Sequence, residues 1–204
     1  MEKRIYIIRH GETDWNRLRK FQGQSDIPLN ENGRRQAEEL AEKLKDVLPF
    51  DRIVASNLGR AVETAAILSR GYPTPILTDA GFREMDFGEW EGLDEETIER
   101  RWPGALQSWF DTGMLSIDSG ETQEQLYDRV WRSFRHWADK PDYQKMAIVS
   151  HGGSGSALLC AVLGKPSKEM KRYMLKNAGI IVMIADSKGG YGVDDASSAQ
   201  YMRV

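Results

Sequence analysis

The chain has 204 residues, 40% hydrophobic and 29% charged, with a formal net charge of −3. Those proportions describe a globular chain long enough for a sizeable core and exclude a disordered or collagen-like one. The slight negative balance gives no global attraction to nucleic acid or to an anionic membrane, and no apolar run approaches the ~18 residues that a membrane span needs. The single cysteine, Cys160, cannot close an internal disulfide, and Met1-Glu2-Lys3-Arg4 leads into too few apolar residues for a secretory leader. Both features predict a cytoplasmic protein.

The first predicted element is a buried strand over Ile5-Tyr6-Ile7-Ile8, followed at once by Arg9-His10-Gly11-Glu12-Thr13. A short β-branched run closed by glycine reads as a strand and a sharp turn. A polar stretch over residues 11–29 comes next. Asn30 is the predicted N-cap of a helix that places Ala37, Leu40, Ala41, Leu44 and Leu48 on one face. Arg52-Ile53-Val54-Ala55 reads as a second strand, and Ala61, Val62, Ala65 and Leu68 as the inner face of its helix. Residues 84–120, with Trp90, Trp102 and Trp109, are the least regular part and read as an excursion over the sheet edge. Thr122 and Gln125 form a capping-box pattern opening a helix lined by Leu126, Val130 and Phe134. Met146-Ala147-Ile148-Val149 reads as a third strand, Gly155 to Leu163 as its helix, and Ile180 to Ile184 as a fourth strand. Residues 186–192 read as a turn, with the last residues pairing at a sheet edge. No repeat or linker interrupts the pattern, so residues 1–204 are expected to form one domain. Alternating strands and helices predict an α/β fold, a three-layer sandwich with a mostly parallel central sheet and helices on both faces.

Three predicted strand ends carry the chemistry. His10 follows the first strand with Arg9 beside it. Arg60 lies past the second, in Ser56-Asn57-Leu58-Gly59-Arg60. His151 follows the third, in Ser150-His151-Gly152-Gly153. In a parallel arrangement these ends share one edge of the sheet, where helix N-termini add oriented N–H donors. Two arginines, two imidazoles and those amides would form an anion pocket, because the guanidinium fork matches phosphate oxygens. The structural alternative is that each histidine is simply a hydrogen-bonded core residue. A metal site is the weaker functional alternative: two histidines without convergent Cys or Asp are a thin ligand set, and nearby arginines repel a cation. His136 falls inside a helix and reads as a surface residue. Trp15, Trp90, Trp102, Trp109, Met85 and Phe87 read as packing or lid residues.

The same residues carry a family resemblance. Arg9-His10-Gly11-Glu12-Thr13 with Trp15-Asn16, Phe21-Gln22-Gly23, Asp26-Ile27-Pro28-Leu29-Asn30, the Ser56 to Ala65 segment, Phe82 to Gly92, Gly120-Glu121 and Ser150-His151-Gly152-Gly153 together resemble the histidine phosphatase superfamily, in its phosphoglycerate mutase-like branch. The resemblance implies that His10 is the nucleophile, forming a phosphohistidine. It implies that Arg9, Arg60 and His151 cage the phosphoryl oxygens and that Glu84 is the general acid. Asn16, Gln22, Gly23 and Gly152 would be further phosphate or substrate contacts, and no metal or other cofactor is expected. Two departures stand out: Asn57 where relatives often carry Asp, and the small residues Ser154-Gly155-Ser156 where bulkier apolar ones are common.

The residue types agree with that chemistry. A neutral imidazole is a good nucleophile near neutral pH if its other nitrogen is held, for example by a backbone carbonyl. An alkoxide leaving group needs a proton, which Glu84 would donate before activating water. Two outcomes share such a centre: hydrolysis, and transfer to a second oxygen as in a cofactor-dependent phosphoglycerate mutase. From Glu84 to Glu99 the sequence EMDFGEWEGLDEETIE holds eight acidic residues and no cation. A lid carrying only acidic charge would repel a second anionic group, with Arg100 and Arg101 able to compensate in part. The expectation is therefore a metal-independent phosphomonoesterase acting on a small phosphorylated metabolite with one phosphate on a neutral or cationic body, releasing phosphate. A non-catalytic phosphate-binding module is a third reading, disfavoured because His10, Glu84 and His151 are all present. Neither nucleic acid nor a membrane is an expected partner, and a homo-oligomer is compatible with the sequence.

Overall fold

The computed structural model describes residues 2–195 apart from 116, 118, 187 and 188. Among them a sheet runs in the order β3-β2-β4-β1-β5-β6, with β1 (Lys3–Arg9), β2 (Arg52–Ala55), β3 (Ile76–Thr78), β4 (Lys145–Ser150), β5 (Ile180–Ala185) and β6 (Tyr191–Val193). β1, β4, β2 and β3 are mutually parallel along that order, while β5 returns antiparallel on β1 and β6 on β5.

Alternation along the central strands sets the layers. Ile5 and Ile7 of β1, with Met146 and Ile148 of β4, join one core cluster that includes Leu126, Val130 and Phe134 of α6 (Gln123–Ala138) and Leu158 of α7 (Gly152–Val162). Tyr6, Ile8, Ala147 and Val149 face the other way. They pack with Leu40 of α2 (Glu31–Lys43) and Ala61, Ala65 and Leu68 of α3 (Gly59–Leu68). Side chains of period two thus serve two helical layers, which gives the three-layer sandwich. Each fully buried aliphatic side chain contributes roughly 1.5–3 kcal/mol relative to exposure. That contribution offsets the cost of burying charged and polar groups at one edge of the sheet.

The capping signals act as expected. Asn30 accepts from the N–H of Gly33, and Thr122 with Gln125 forms a capping box at the start of α6. A second capping box, Thr13 with Asn16, opens α1 (Asp14–Arg17). Four features differ from expectation. α2 ends at Lys43 with Leu44 as its C-cap, so Leu44 and Leu48, expected on its inner face, lie past its end. β3 is three residues at the sheet edge, two of them exposed, too short and too wet to show a pattern. The helix after β4 begins at Gly152, not Gly155, because His151 caps it and Ser154 Oγ accepts the His151 N–H. Tyr191 and Gly192, expected in a turn, belong to β6, and residues 196–204 lie outside the described residues. No described helix is long and apolar enough to cross a membrane.

The excursion has structure of its own. It holds α4 (Glu95–Arg101) and α5 (Ala105–Thr112), and Trp90, Ile98 and Ala105 form a separate small core with Phe21, Phe87, Trp102 and Trp109 packed against it.

Candidate active site

At the end of β1 the backbone N–H of His10 donates to Ser150 O at 3.0 Å, tying this residue to the end of β4. The turn after it needs glycine. A Cβ on Gly11 would lie 2.2 Å from the carbonyl oxygen of Gly33, so the first turn of α2 closes against bare backbone. His10 is 2% exposed, and its Nδ1 lies 2.6 Å from Gly11 O. A carbonyl only accepts, so Nδ1 carries the proton and Nε2 carries the lone pair. Burial, then the charges of Arg60 and Arg9, push the ring's titration well below the usual histidine range. The ring is therefore neutral at neutral pH.

Arg60, in the first turn of α3, is fully buried. Its Nη2 donates to Gly23 O and its Nη1 to Ser25 O, both at 2.7 Å, and its Nε donates to His151 Nδ1 at 3.2 Å. Three of its five N–H groups are thereby used, and one on each terminal nitrogen remains for a ligand. Desolvation lowers its pKa to about 10, which leaves it charged at neutral pH. Asp26 braces the same loop by accepting the Gly59 N–H at 2.6 Å, while Asn57 accepts from Arg83 at 2.7 Å. His151 is fully buried, with its ring centroid 5.1 Å from that of His10. Burial and the neighbouring Arg60 hold it neutral as well.

Arg9 donates to Leu175 O at 2.6 Å, and its buried Nε has no partner among the described residues. The Glu84 carboxylate is fixed by two backbone donors, Met85 N at 2.9 Å and Gly153 N at 3.0 Å. Behind it, Arg129 of α6 is held by Glu121 and donates to the carbonyls of Gly81, Arg83 and Glu84 at 3.0–3.2 Å. The small residues after His151 tighten this region. Ser154 Oγ reaches Phe82 O, Ser156 Oγ donates to Gly152 O, and a Cβ on Gly155 would meet Leu175 at 3.2 Å.

These groups surround a cavity of about 260 Å³. Arg9, His10, Asn16, Gln22, Gly23, Arg60 and Glu84, all expected from the sequence, line it. His151 and Gly152, also expected, are not among its lining residues, and Gly153 is the glycine that reaches it. Asn16 Oδ1 accepts from Thr13 and from Asn177 Nδ2, and Gln22 Oε1 accepts from Thr13 Oγ1. Both side chains are thus anchored through their acceptor ends, which leaves their NH₂ groups to donate. His136 is exposed on α6, and Trp90 is fully buried, whereas Trp109, Met85 and Phe87 line the cavity. A larger groove of about 420 Å³, between α2 and residues 174–179, contains none of the expected site residues.

The acidic stretch does not face the substrate as a whole. Asp86 accepts from Gly88 N, Asp94 caps α4, Glu99 accepts from Gly104 N, and Glu91 accepts from Gln24 and Ser25. Of the eight carboxylates only Glu84 and Glu95 line the cavity, together with the cations Lys20 and Lys171. Carboxylates that satisfy helix and loop N–H groups are spent locally, so the expected repulsion of a second anion is largely absent.

The family model of the histidine phosphatase superfamily (branch 1) matches residues 5–193. The chain belongs to the histidine phosphatase superfamily. Within it, a Proteus mirabilis (strain HI4320) protein named probable phosphoglycerate mutase GpmB is 35% identical over 179 residues, 86% of this chain and 82% of its own. The solved mycobacterial glucosyl-3-phosphoglycerate phosphatase is 30% identical with a TM-score of 0.83, covering 94% of this chain and 97% of that one. The α-ribazole phosphatase of Shigella flexneri is 28% identical with a TM-score of 0.84, covering 93% and 94%.

In this superfamily member the sequence did not point to Asn177, Leu175, Gln123 or Arg129. Asn177 Nδ2 and Ala178 N donate to His10 O at 3.2 Å, and Leu175 O anchors Arg9. They reach the site because β5 runs antiparallel, so its start lies at the edge where β1 and β4 end. No local pattern encodes that direction. Arg129 had one available signal: it follows the Glu121 region by eight residues, on the half-buried side of an otherwise amphipathic helix.

Proposed function

We propose that the protein is a phosphomonoesterase that works through a phosphohistidine on His10. The observation that carries this reading is the Nδ1–H···O=C contact to Gly11 inside a pocket with two arginines. It presents a neutral, correctly tautomeric imidazole to a caged anion. The Nε2 lone pair forms the P–N bond as the ester P–O bond breaks. Arg9, Arg60 and His151 take up the charge on the equatorial oxygens. Glu84 delivers its proton to the leaving alkoxide, then removes one from the water that breaks the P–N bond. His10 is regenerated neutral and phosphate leaves. Residues 84–120 supply Glu84 and much of the wall on the leaving-group side, as a lid would. The solved phosphatases similar to this chain support hydrolysis as the outcome.

Acid-quench trapping with a ³²P-labelled ester tests the reading. The expected result is one acid-labile, base-stable phosphoryl group per chain, absent in His10→Ala together with turnover. Turnover persisting in that variant overturns it.

One observation favours the mutase reading. Lys20 and Lys171 line the cavity and could meet a second anionic group. Product analysis with 3-phosphoglycerate separates the two: free phosphate supports hydrolysis, and 2-phosphoglycerate as the main product supports transfer.

A further inference from the structure

Beyond the phosphate cage the cavity changes character. Phe21, Phe87 and Trp109 meet edge to face in a closed trio. Their centroids are 4.9 Å apart for Phe21–Phe87, 5.5 Å for Phe87–Trp109 and 5.9 Å for Phe21–Trp109. All three line the cavity, with Phe110, Met85 and Leu126 completing the wall. Each ring of the trio is fixed by the other two, so this apolar surface is preformed.

A polyol or a sugar acid would bring several hydroxyls or a carboxylate against that wall. Each would lose water without gaining a partner. Gln123, 6% exposed, adds its side chain to the wall, with its Oε1 turned toward Gly113. The charged groups Glu95 and Lys171 are exposed at the mouth, and half-buried Lys20 has its ammonium 5.9 Å from the Trp15 ring centroid.

We propose that the site selects phosphomonoesters of an uncharged, apolar alcohol whose body packs on the Phe21–Phe87–Trp109 wall. This rests on the phosphatase reading above. The reaction is unchanged: the ester P–O bond is cleaved by water through His10, giving the alcohol and phosphate.

The test compares kcat/KM for four esters that all leave as primary alkoxides: 2-phenylethyl phosphate, isopentyl phosphate, glycerol 1-phosphate and 3-phosphoglycerate. The two apolar esters are expected to exceed the two polar ones at least tenfold. Phe110→Ser is expected to narrow the ratio of 2-phenylethyl phosphate to glycerol 1-phosphate at least threefold. Since that variant could fold poorly, inhibition of the unmodified protein gives a second measure. There 2-phenylethylphosphonate is expected to show a Ki at least tenfold below that of phosphonoacetate. Equal or inverted ratios in either comparison overturn the proposal, as does a folded Phe110→Ser protein with an unchanged ratio. If all four esters are hydrolysed with glycerol 1-phosphate best, the substrate proposal falls and the phosphatase reading stands. If none is hydrolysed and His10 takes no label, both fall.

Discussion

Arg60 Nε donates to His151 Nδ1 at 3.2 Å, and this one contact decides which nitrogen of the second histidine holds its proton. With Nδ1 accepting, the neutral ring carries its hydrogen on Nε2. That nitrogen is buried and has no partner among the described residues. His151 thereby presents an N–H beside His10, whereas His10, held through Nδ1 by Gly11 O, presents the lone pair of Nε2. Two histidines 5.1 Å apart receive opposite tautomers from two different neighbours.

Arg60→Lys separates charge from geometry. Lysine keeps the cation but cannot hold Gly23 O, Ser25 O and His151 together. Loss of one partner from a buried charged hydrogen-bond set costs about 2–5 kcal/mol. The expected result is a fall in kcat/KM of roughly 30-fold to 5,000-fold, with vanadate inhibition weakened in parallel. Retained vanadate affinity with lost turnover would assign Arg60 a role other than anion binding.

Glu84→Gln removes the transferable proton and keeps the size of the side chain, although its NH₂ cannot accept, so one of the N–H groups of Met85 and Gly153 loses its acceptor. General acid catalysis is worth about 10²–10⁴-fold where the leaving group needs protonation. Alkyl esters are therefore expected to slow by that factor and p-nitrophenyl phosphate by much less. The slope of log kcat/KM against leaving-group pKa, measured over a series of esters, should steepen. Equal losses across the series would remove Glu84 from the acid role.

Gly153→Ala places a Cβ 2.3 Å from Glu84 Oε1 and forces that carboxylate to move. Because the obstacle is the end of a flexible side chain, the fold should survive. The expected signature is that of Glu84→Gln in milder form, about tenfold on alkyl esters, with inhibition by inorganic phosphate unchanged. A loss of phosphate binding instead would mean that the helix start, not the carboxylate, had shifted.

Stability should depend on pH through the two buried imidazoles. Both have native titration points well below 6.5, through burial first and neighbouring arginines second. Above pH 6.5 neither the folded nor the unfolded chain protonates them, and they contribute no slope. Below it the unfolded chain takes up protons that the native rings refuse, so stability falls as pH falls. The expected slope is roughly 1.4 kcal/mol per pH unit per histidine until the native values are reached. Urea unfolding between pH 7.5 and 5 measures it, and His10→Asn should remove about half of this component.

Much of the architecture was legible because it is written in local patterns. The apolar run at Ile5–Ile8, the second strand at Arg52–Ala55 and the Thr122–Gln125 capping box each state their own structure within a few residues. β3 was not legible, because a three-residue exposed edge strand is stabilised by its neighbour β2 and not by its own pattern. The acidic stretch from Glu84 to Glu99 was legible in its charge and misleading in its direction. Most of its carboxylates turn to backbone N–H groups that only the folded chain brings near.

By itself the sequence determined which reactive side chains follow which strands, since a β-branched run ending in glycine fixes where a strand stops and a turn begins. Only the tertiary structure decided the tautomers of His10 and His151, the anchoring of Arg9 by Leu175, and the aromatic wall of the cavity. Those depend on contacts between segments far apart in the chain. They are set by the antiparallel return of β5 and by how residues 84–120 pack, and burial supplies the energy for such contacts only after the whole sheet has formed.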